Sequence, residues 1–187
     1  MRNLFLLVSV FVFGHDAMAS SYIAIGNTNV KFNALSFDEQ AQEKSSISEG
    51  SGFSAQFGHF LSNAMALEVN YVAVSAAKDN LDQISPVNYS AEISGDYTAI
   101  LIGLRWFWYE FLNVSFGGVK VNYQPTIETT GALANYQVKE ESQYTNFYGA
   151  GLGLTFKKMQ FFYDSIYIAN VNNQSEVSHT MGLRLFF

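Results

Sequence analysis

The sequence is poor in the residues that interrupt strands or build common catalytic and metal sites. Its 187 residues contain no cysteine, so disulfides, thiol nucleophiles and cysteine-based metal sites are excluded. Proline occurs only twice, which permits long uninterrupted strands. Charged residues make up only 14% of the chain and the net charge is -6, which argues against a nucleic-acid partner. We therefore expect no nucleic acid, no metal and no cofactor.

The only long apolar run in the sequence lies at the beginning of the chain. Residues 4–13 form an apolar run, and the small-x-small pattern Ala-Met-Ala ends at Ala19. This arrangement predicts a signal peptide over residues 1–19 and a mature protein over residues 20–187. The alternative, an N-terminal anchor helix, is disfavoured by the cleavage pattern. No later run approaches the roughly 18 apolar residues of a transmembrane helix.

Aromatic residues (16%) and glycine (14 residues) are abundant, and apolar and polar side chains alternate along much of the mature chain. For example, Ile100, Ile102 and Leu104 alternate with Gly103 and Arg105. A period of two is typical of strands with one apolar face. The predicted strands cover residues 21–32, 52–60, 64–75, 96–108, 114–123, 143–156, 160–170 and 178–187.

The connectors between these strands alternate in length. Short turns are predicted at residues 61–63, 109–113 and 157–158, and longer polar segments lie between the other strands. Such alternation is typical of outer-membrane barrels, with loops outside and turns in the periplasm. We therefore predict an all-β fold, an eight-stranded antiparallel up-and-down transmembrane β-barrel in the outer membrane. Its loops would be extracellular and its termini periplasmic.

The polar strand faces indicate which side meets lipid. They carry mostly glycine, serine, threonine and asparagine, with about one charge per strand, whereas a soluble barrel needs a densely charged outer face. We therefore predict a narrow lumen filled by the small and polar residues, with the apolar face outward. Aromatic residues near the strand ends would mark the bilayer interfaces. The predicted interfacial residues are Trp106, Trp108, Tyr109, Phe156 and Phe161.

The last strand carries a recognisable pattern. A polar residue, a glycine, an apolar residue and a terminal aromatic stand at Thr180, Gly182, Leu185 and Phe187. Together with the strand pattern, this resembles the OmpA-like and opacity-type family of small outer-membrane β-barrels. The resemblance implies an assembly signal at those four residues, read by the barrel-assembly machinery with the help of periplasmic chaperones. It also implies contact with outer-membrane lipid and lipopolysaccharide.

Five charged residues lie on strand faces that are predicted to point into the lumen. They are Glu68, Arg105, Lys120, Asp164 and Arg184. A buried charge must be paired, because isolated burial is costly. We therefore predict an ion-pair network, with Glu68 against Arg105, Asp164 against Arg184, and Lys120 beside the first pair. A charged constriction of a small pore is the alternative, which the narrow interior of eight strands disfavours.

Catalytic candidates are few. The mature chain has two histidines, His59 and His179, and the second lies near the outer end of the last strand. Small barrels include lipid A deacylases with a histidine followed by a serine two residues later, but Met181 stands at that position. We interpret both histidines as interfacial and predict that the protein is not an enzyme.

Acidic residues outnumber lysines in each long connector, which disfavours direct binding of lipopolysaccharide phosphates or other polyanions by the connectors unless divalent cations bridge them. The connectors are either simply solvated or form a surface for an unidentified ligand. We predict a non-enzymatic barrel that supports envelope integrity or surface interaction through its loops. A narrow small-solute channel and an outer-leaflet lipid A hydrolase are the alternatives.

Overall fold

The computed structural model describes residues 20–32, 49–76, 79–82, 90–108, 111–130, 136–137, 141–171 and 174–187. The predicted signal peptide and much of the long connectors lie outside these ranges. No helix among the described residues is long and apolar enough to cross a membrane. The strands are β1 (Ser21–Phe32), β2 (Glu49–Phe60), β3 (Met65–Ala76), β4 (Asp79–Asp82), β5 (Ser90–Trp108), β6 (Leu112–Thr130), β7 (Tyr136–Gln137), β8 (Glu141–Phe156), β9 (Met159–Val171) and β10 (Gln174–Phe186).

Eight long strands close into a ring in the order β1, β2, β3, β5, β6, β8, β9, β10, and every pairing is antiparallel. The ring closes between the first and last strands, where Tyr22 lies opposite Phe186. Closure pairs each strand on both sides, so that its backbone groups need no water. The predicted eight-stranded antiparallel barrel is confirmed.

The strands β4 and β7 continue the barrel wall on the long-connector side. β4 pairs with β5 beyond the last pair of β3, from Asp79 opposite Ile93 onward. β7 pairs with β6 beyond the last pair of β8, at Thr126 and Ile127. The hairpin of β5 and β6 thus extends as a four-stranded sheet beyond the rest of the barrel.

This hairpin is longer than the sequence predicted. Both of its strands have 19 residues, whereas we expected 96–108 and 114–123. The additional residues lie on the long-connector side and were assigned to connectors. They lack a continuous apolar alternation because a strand that has left the bilayer does not need a lipid-facing side.

The outer face of the barrel is apolar. Large side chains on alternate positions are exposed there, for example Ile25 at 69%, Leu154 at 77% and Met181 at 66%. Exposed apolar surface on this scale would be unstable in water, and it fits contact with lipid. The apolar strand faces therefore point outward, as the sequence predicted.

The lumen has two chemically different halves. Polar and charged side chains fill the half near the short turns. The other half holds a continuous apolar cluster of Val30, Val72, Val74, Tyr97, Ala99, Leu101, Val119, Val121, Tyr123, Phe147, Ile166 and Ile168. We expected polar residues inside throughout, so this apolar half corrects the sequence interpretation. The cluster crosses the height at which the outer face becomes polar: Leu101 and Val119 lie behind the exposed apolar Ile102, and Val121 and Tyr123 lie on either side of the outward-facing Asn122.

Candidate functional site

The candidate site is a cluster of four charged residues in the lumen, called here the lumen cluster: Glu68 on β3, Arg105 on β5, Asp164 on β9 and Arg184 on β10. Their side chains point inward because each falls on the lumen side of the strand alternation. All four are buried, with exposed fractions of 4%, 0%, 1% and 0% in the same order.

Arg105 forms the centre of the lumen cluster. Its Nε and Nη2 donate to the two carboxylate oxygens of Glu68 at 2.6 and 2.8 Å. Its Nη1 lies 2.9 Å from Oδ2 of Asp164 and also donates to the side chain of Asn113. The bidentate geometry matches the planar guanidinium fork, which is the strongest form of such a pair.

Arg184 extends the cluster toward the barrel wall. Its Nη2 lies 3.3 Å from Oδ2 of Asp164 and donates to Gln56 at 3.1 Å. Its Nη1 donates to Gln160. Its guanidinium carbon is 4.5 Å from the ring centroid of Phe162, a cation–π distance. These contacts replace part of the hydration that the guanidinium loses on burial, and its Nε is left without a hydrogen-bond partner.

The cluster is balanced in charge because Lys120 does not belong to it. The structure places Lys120 on the outer face of β6, with Nζ 5.7 Å from the ring centroid of Tyr144. On the same strand the neighbouring Val119 and Val121 are buried in the lumen. The predicted inward position of Lys120 is therefore wrong. Side chains of β6 alternate regularly between lumen and outer face along the whole strand. Near the short turn the polar residues fall on the lumen side, but at the height of Lys120 they fall on the outer side.

An aromatic layer lies beside the lumen cluster on the short-turn side. It consists of Tyr22, Phe60, Phe107 and Phe186, whose ring centroids are 5.4 to 6.3 Å apart. Arg184 lies 5.0 Å from the centroid of Tyr22, and the hydroxyl of Tyr22 donates to Glu68. The sequence analysis did not identify this layer, although the alternation that points Arg184 into the lumen also places Phe186 on the lumen side.

Glycines make room for these large side chains. A Cβ at Gly58 would lie 2.1 Å from the ring of Tyr22, and one at Gly151 would lie 2.0 Å from Oδ1 of Asp164. Neither ring nor carboxylate could keep its place against a methyl group. The alternation of glycine with large inward residues is therefore part of how the lumen is filled.

The described residues offer little for catalysis or metal binding. They contain no group of three histidine, aspartate or glutamate residues that could hold a metal ion. His179 points outward, stacks on Tyr163 and shares a 2.8 Å hydrogen bond between Nδ1 and the tyrosine hydroxyl. His59 lies at the short-turn end, 3.0 Å from the hydroxyl of Ser21.

Glu176 is a third buried carboxylate, which the sequence interpretation missed because it placed this residue in a connector. Glu176 lies in β10, only 4% exposed, where a register irregularity separates it from Gln174. The hydroxyl of Tyr97 donates to its Oε2 at 2.9 Å. The hydrogen bond offsets part of the cost of placing a carboxylate beside the apolar half of the lumen.

The other predicted residues lie on the final strand and at the strand ends. Thr180 is buried and shares a 2.7 Å hydrogen bond with Thr28, and Gly182 packs against the backbone of β1. Leu185 and Phe187 point outward. Of the predicted interfacial residues, Tyr109 lies outside the described residues. The exposed ones are Trp106, Trp108, Phe156 and Phe161.

The fold is similar to solved outer-membrane proteins. The crystal structure of Ail, the attachment invasion locus protein of Yersinia pestis, has a TM-score of 0.55 and 13% identity, covering 91% of this chain and 99% of Ail. Ail in complex with the heparin analogue sucrose octasulfate has a TM-score of 0.55 and 14% identity, with the same coverage.

The solid-state NMR structure of the outer membrane protein AlkL in lipid bilayers has a TM-score of 0.54 and 12% identity, covering 93% of both chains. At these identities the likeness concerns the fold, which is that of small outer-membrane β-barrels. No family model and no curated protein matches the sequence.

Proposed function

We propose that the chain is a non-enzymatic outer-membrane barrel that acts as a membrane-anchored scaffold. In this proposal the barrel holds the long connectors and the extended β5–β6 hairpin at the cell surface. There they support envelope integrity or bind a surface ligand. The observation that carries the proposal is the filled lumen.

Three layers fill the interior in succession. The aromatic layer closes the short-turn side, the lumen cluster lies next to it, and the apolar cluster fills the other half. The key side chains of the middle layer, Arg105 and Arg184, have no exposed surface. Ions would have to displace paired charges and then cross an apolar region. This arrangement favours a scaffold over the alternative of a small-solute channel.

The extended hairpin supports a role at the surface. About 9–11 residues suffice for a tilted strand to cross a bilayer. The 19 residues of β5 and of β6 exceed this length, and the excess lies on the long-connector side. These excess residues of β5 and β6 are not needed to cross the membrane. We propose that they present a binding surface for a ligand.

The charge of the long connectors limits which ligands they could bind. Ail was crystallised with a heparin analogue, which is a polyanion. The long connectors of this chain carry more acids than lysines, so they repel such a ligand. We propose that any ligand bound by the long connectors is neutral or cationic rather than polyanionic.

The hydrolase alternative receives less support. Ser165 lies opposite His179 in the register of β9 and β10. However, Nδ1 of His179 bonds the hydroxyl of Tyr163, and the described residues show no hydrogen bond between His179 and Ser165 that would activate the serine.

Conductance in planar bilayers tests the scaffold against the channel. We expect the wild-type barrel to show no resolved openings, and Lys157→Ala, changed at an exposed turn, to behave in the same way. Steady conductance of the wild type would contradict the proposal and favour the channel. Lipid A from cells with and without the protein should have the same mass spectrum, and a loss of acyl chains would favour the hydrolase.

A further inference from the structure

Gly118 differs from most glycines of the barrel. It lies on the outer face of β6, opposite Ile102 of β5 and Asn146 of β8. A Cβ built on Gly118 would approach nothing closer than the carbonyl oxygen of Thr145, at 3.9 Å. At ten other glycines the nearest atom would lie less than 3.0 Å away. At those ten positions, close packing within the barrel explains why the residue has no side chain. It does not explain the glycine at position 118.

A glycine inside a strand is unfavourable, because the backbone loses more freedom on folding and no side chain packs. Such a glycine often marks a bulge, a tight bend, or a site where a ligand or another backbone approaches closely. The pairing of β6 with both neighbours runs through Gly118 without a register shift, so no bulge accounts for it. The missing side chain at Gly118 leaves a depression on the lipid-facing surface. We call it the Gly118 groove. Its neighbours on the outer face are the exposed Ile102 and Asn146, directly opposite on β5 and β8, and Phe116 and Tyr148 one step toward the short turns.

Lys120 lies at the end of the Gly118 groove, two residues further along β6 on the same face. Its ammonium group is held near the exposed ring of Tyr144. On the outer face, β6 is apolar on the short-turn side of Lys120, at Phe116, and polar on the other side, at Asn122. Lys120 therefore stands at the boundary between the hydrocarbon core and the headgroups, on the long-connector side.

No carboxylate pairs with Lys120 within the described ranges. The other described cations are engaged or distant. Arg105 and Arg184 are buried in the lumen cluster, and Lys31 lies 3.5 Å from Glu49. Lys157 and Lys158 form a turn at the opposite end of the barrel. A cation that pairs with no carboxylate of the described strands, placed at the headgroup boundary, is suited to bind a lipid phosphate.

We propose that the Gly118 groove is a binding site for a phosphate-bearing glycolipid of the lipid A type. The phosphate would bind the ammonium group of Lys120, and an acyl chain would lie over Gly118 between Ile102 and Tyr148. That this site faces the outer leaflet rests on the proposed function, in which the long connectors are extracellular. Binding in detergent does not depend on that orientation.

Native mass spectrometry of the full refolded barrel with bis-phosphorylated lipid A tests the site. Lys120→Gln removes the charge, Gly118→Val fills the groove, and Lys158→Gln serves as the matched control on an exposed lysine. We expect each of the first two variants to weaken binding at least about five-fold, equivalent to about 1 kcal/mol. Lys158→Gln should bind like the wild type. Dephosphorylated lipid A should bind weakly and equally to the wild type and Lys120→Gln.

Thermal unfolding separates this site from a structural role of the glycine. Valine is a better strand former, so Gly118→Val should unfold at the same or a higher temperature while it loses lipid. Wild-type binding by both site variants, an equal loss in Lys158→Gln, or a lower unfolding temperature of Gly118→Val would each overturn the proposal. The conductance test of the scaffold is independent of all these outcomes.

Discussion

Arg105 and Asp164 meet across the lumen, with 2.9 Å between Nη1 and Oδ2, although β6 and β8 separate their strands in the barrel wall. Arg105 also binds Glu68, and Asp164 also contacts Arg184. This contact joins two pairs of neighbouring strands into one cluster that ties opposite walls together. The two acids and two arginines cancel in charge, which is the condition under which such burial is tolerated.

Removal of Arg105 should strongly destabilise the barrel. In Arg105→Ala the carboxylate of Glu68 keeps only the hydroxyl of Tyr22, and that of Asp164 keeps Arg184. Breaking a buried pair in this way costs about 3–5 kcal/mol. We expect a clearly lower unfolding midpoint in detergent, measured by denaturant titration, and no change in the exposed control Lys158→Ala.

Adding Glu68→Ala to Arg105→Ala should restore part of the lost stability. The double variant no longer buries the stranded carboxylate of Glu68, but Asp164 still lacks one of its two arginines. Rescue should therefore be partial, which a double-mutant cycle would measure as a coupling energy. Purely additive effects would show that the pair contributes no interaction energy.

Gly58→Ala should destabilise the barrel through overpacking. The new methyl group would lie 2.1 Å from the ring of Tyr22, which packs in the aromatic layer. Displacement of that ring should cost about 1–3 kcal/mol. The matched control is Gly118→Ala, where the nearest atom is 3.9 Å away, and its unfolding midpoint should be unchanged or slightly higher. Equal effects of the two substitutions would argue against a tightly filled lumen.

Cysteine labelling on intact cells tests the orientation. Single cysteines at positions 38 and 85, in two long connectors, should react with a membrane-impermeant thiol reagent. Cysteine at the exposed turn residue Ser62 should remain unlabelled until the cells are opened. Asn113 is unsuitable as a probe because it is buried in the lumen. Labelling of Ser62→Cys on intact cells would reverse the proposed topology.

Phe187 should be needed for assembly. Its backbone pairs with Ser21 through hydrogen bonds of 2.9 and 3.0 Å, and its ring is exposed on the outer face. Phe187→Asp would place a charge at the interface and remove the proposed recognition element. We expect a low level of this variant in the outer membrane, measured by fractionation and immunoblot, and a normal level of Phe187→Tyr. Normal insertion of both variants would rule out the proposed role of Phe187.

Local pattern was enough to predict the barrel and part of the lumen cluster. The pleat of a strand alternates side chains between two faces, whatever the rest of the chain does. The inward positions of Glu68, Arg105, Asp164 and Arg184 follow from this alternation, as do the pairs formed by neighbouring strands. The number of strands could likewise be predicted from the turn residues and the connector lengths, because each turn is specified by a few consecutive residues.

Other features depend on where the bilayer ends and on how the strands are staggered around the ring. Polarity changes sides along β6 at the membrane boundary, so the rule that placed polar residues inside failed at Lys120. For the same reason, the rule did not predict the apolar half of the lumen. The contact between Arg105 and Asp164 arises only when the sheet closes. The sequence by itself therefore determined the strand count and the alternation of side chains within each strand, but not which face is polar beyond the membrane boundary. Only the closed barrel decided which distant side chains meet, because barrel stagger and membrane depth are properties of the whole chain.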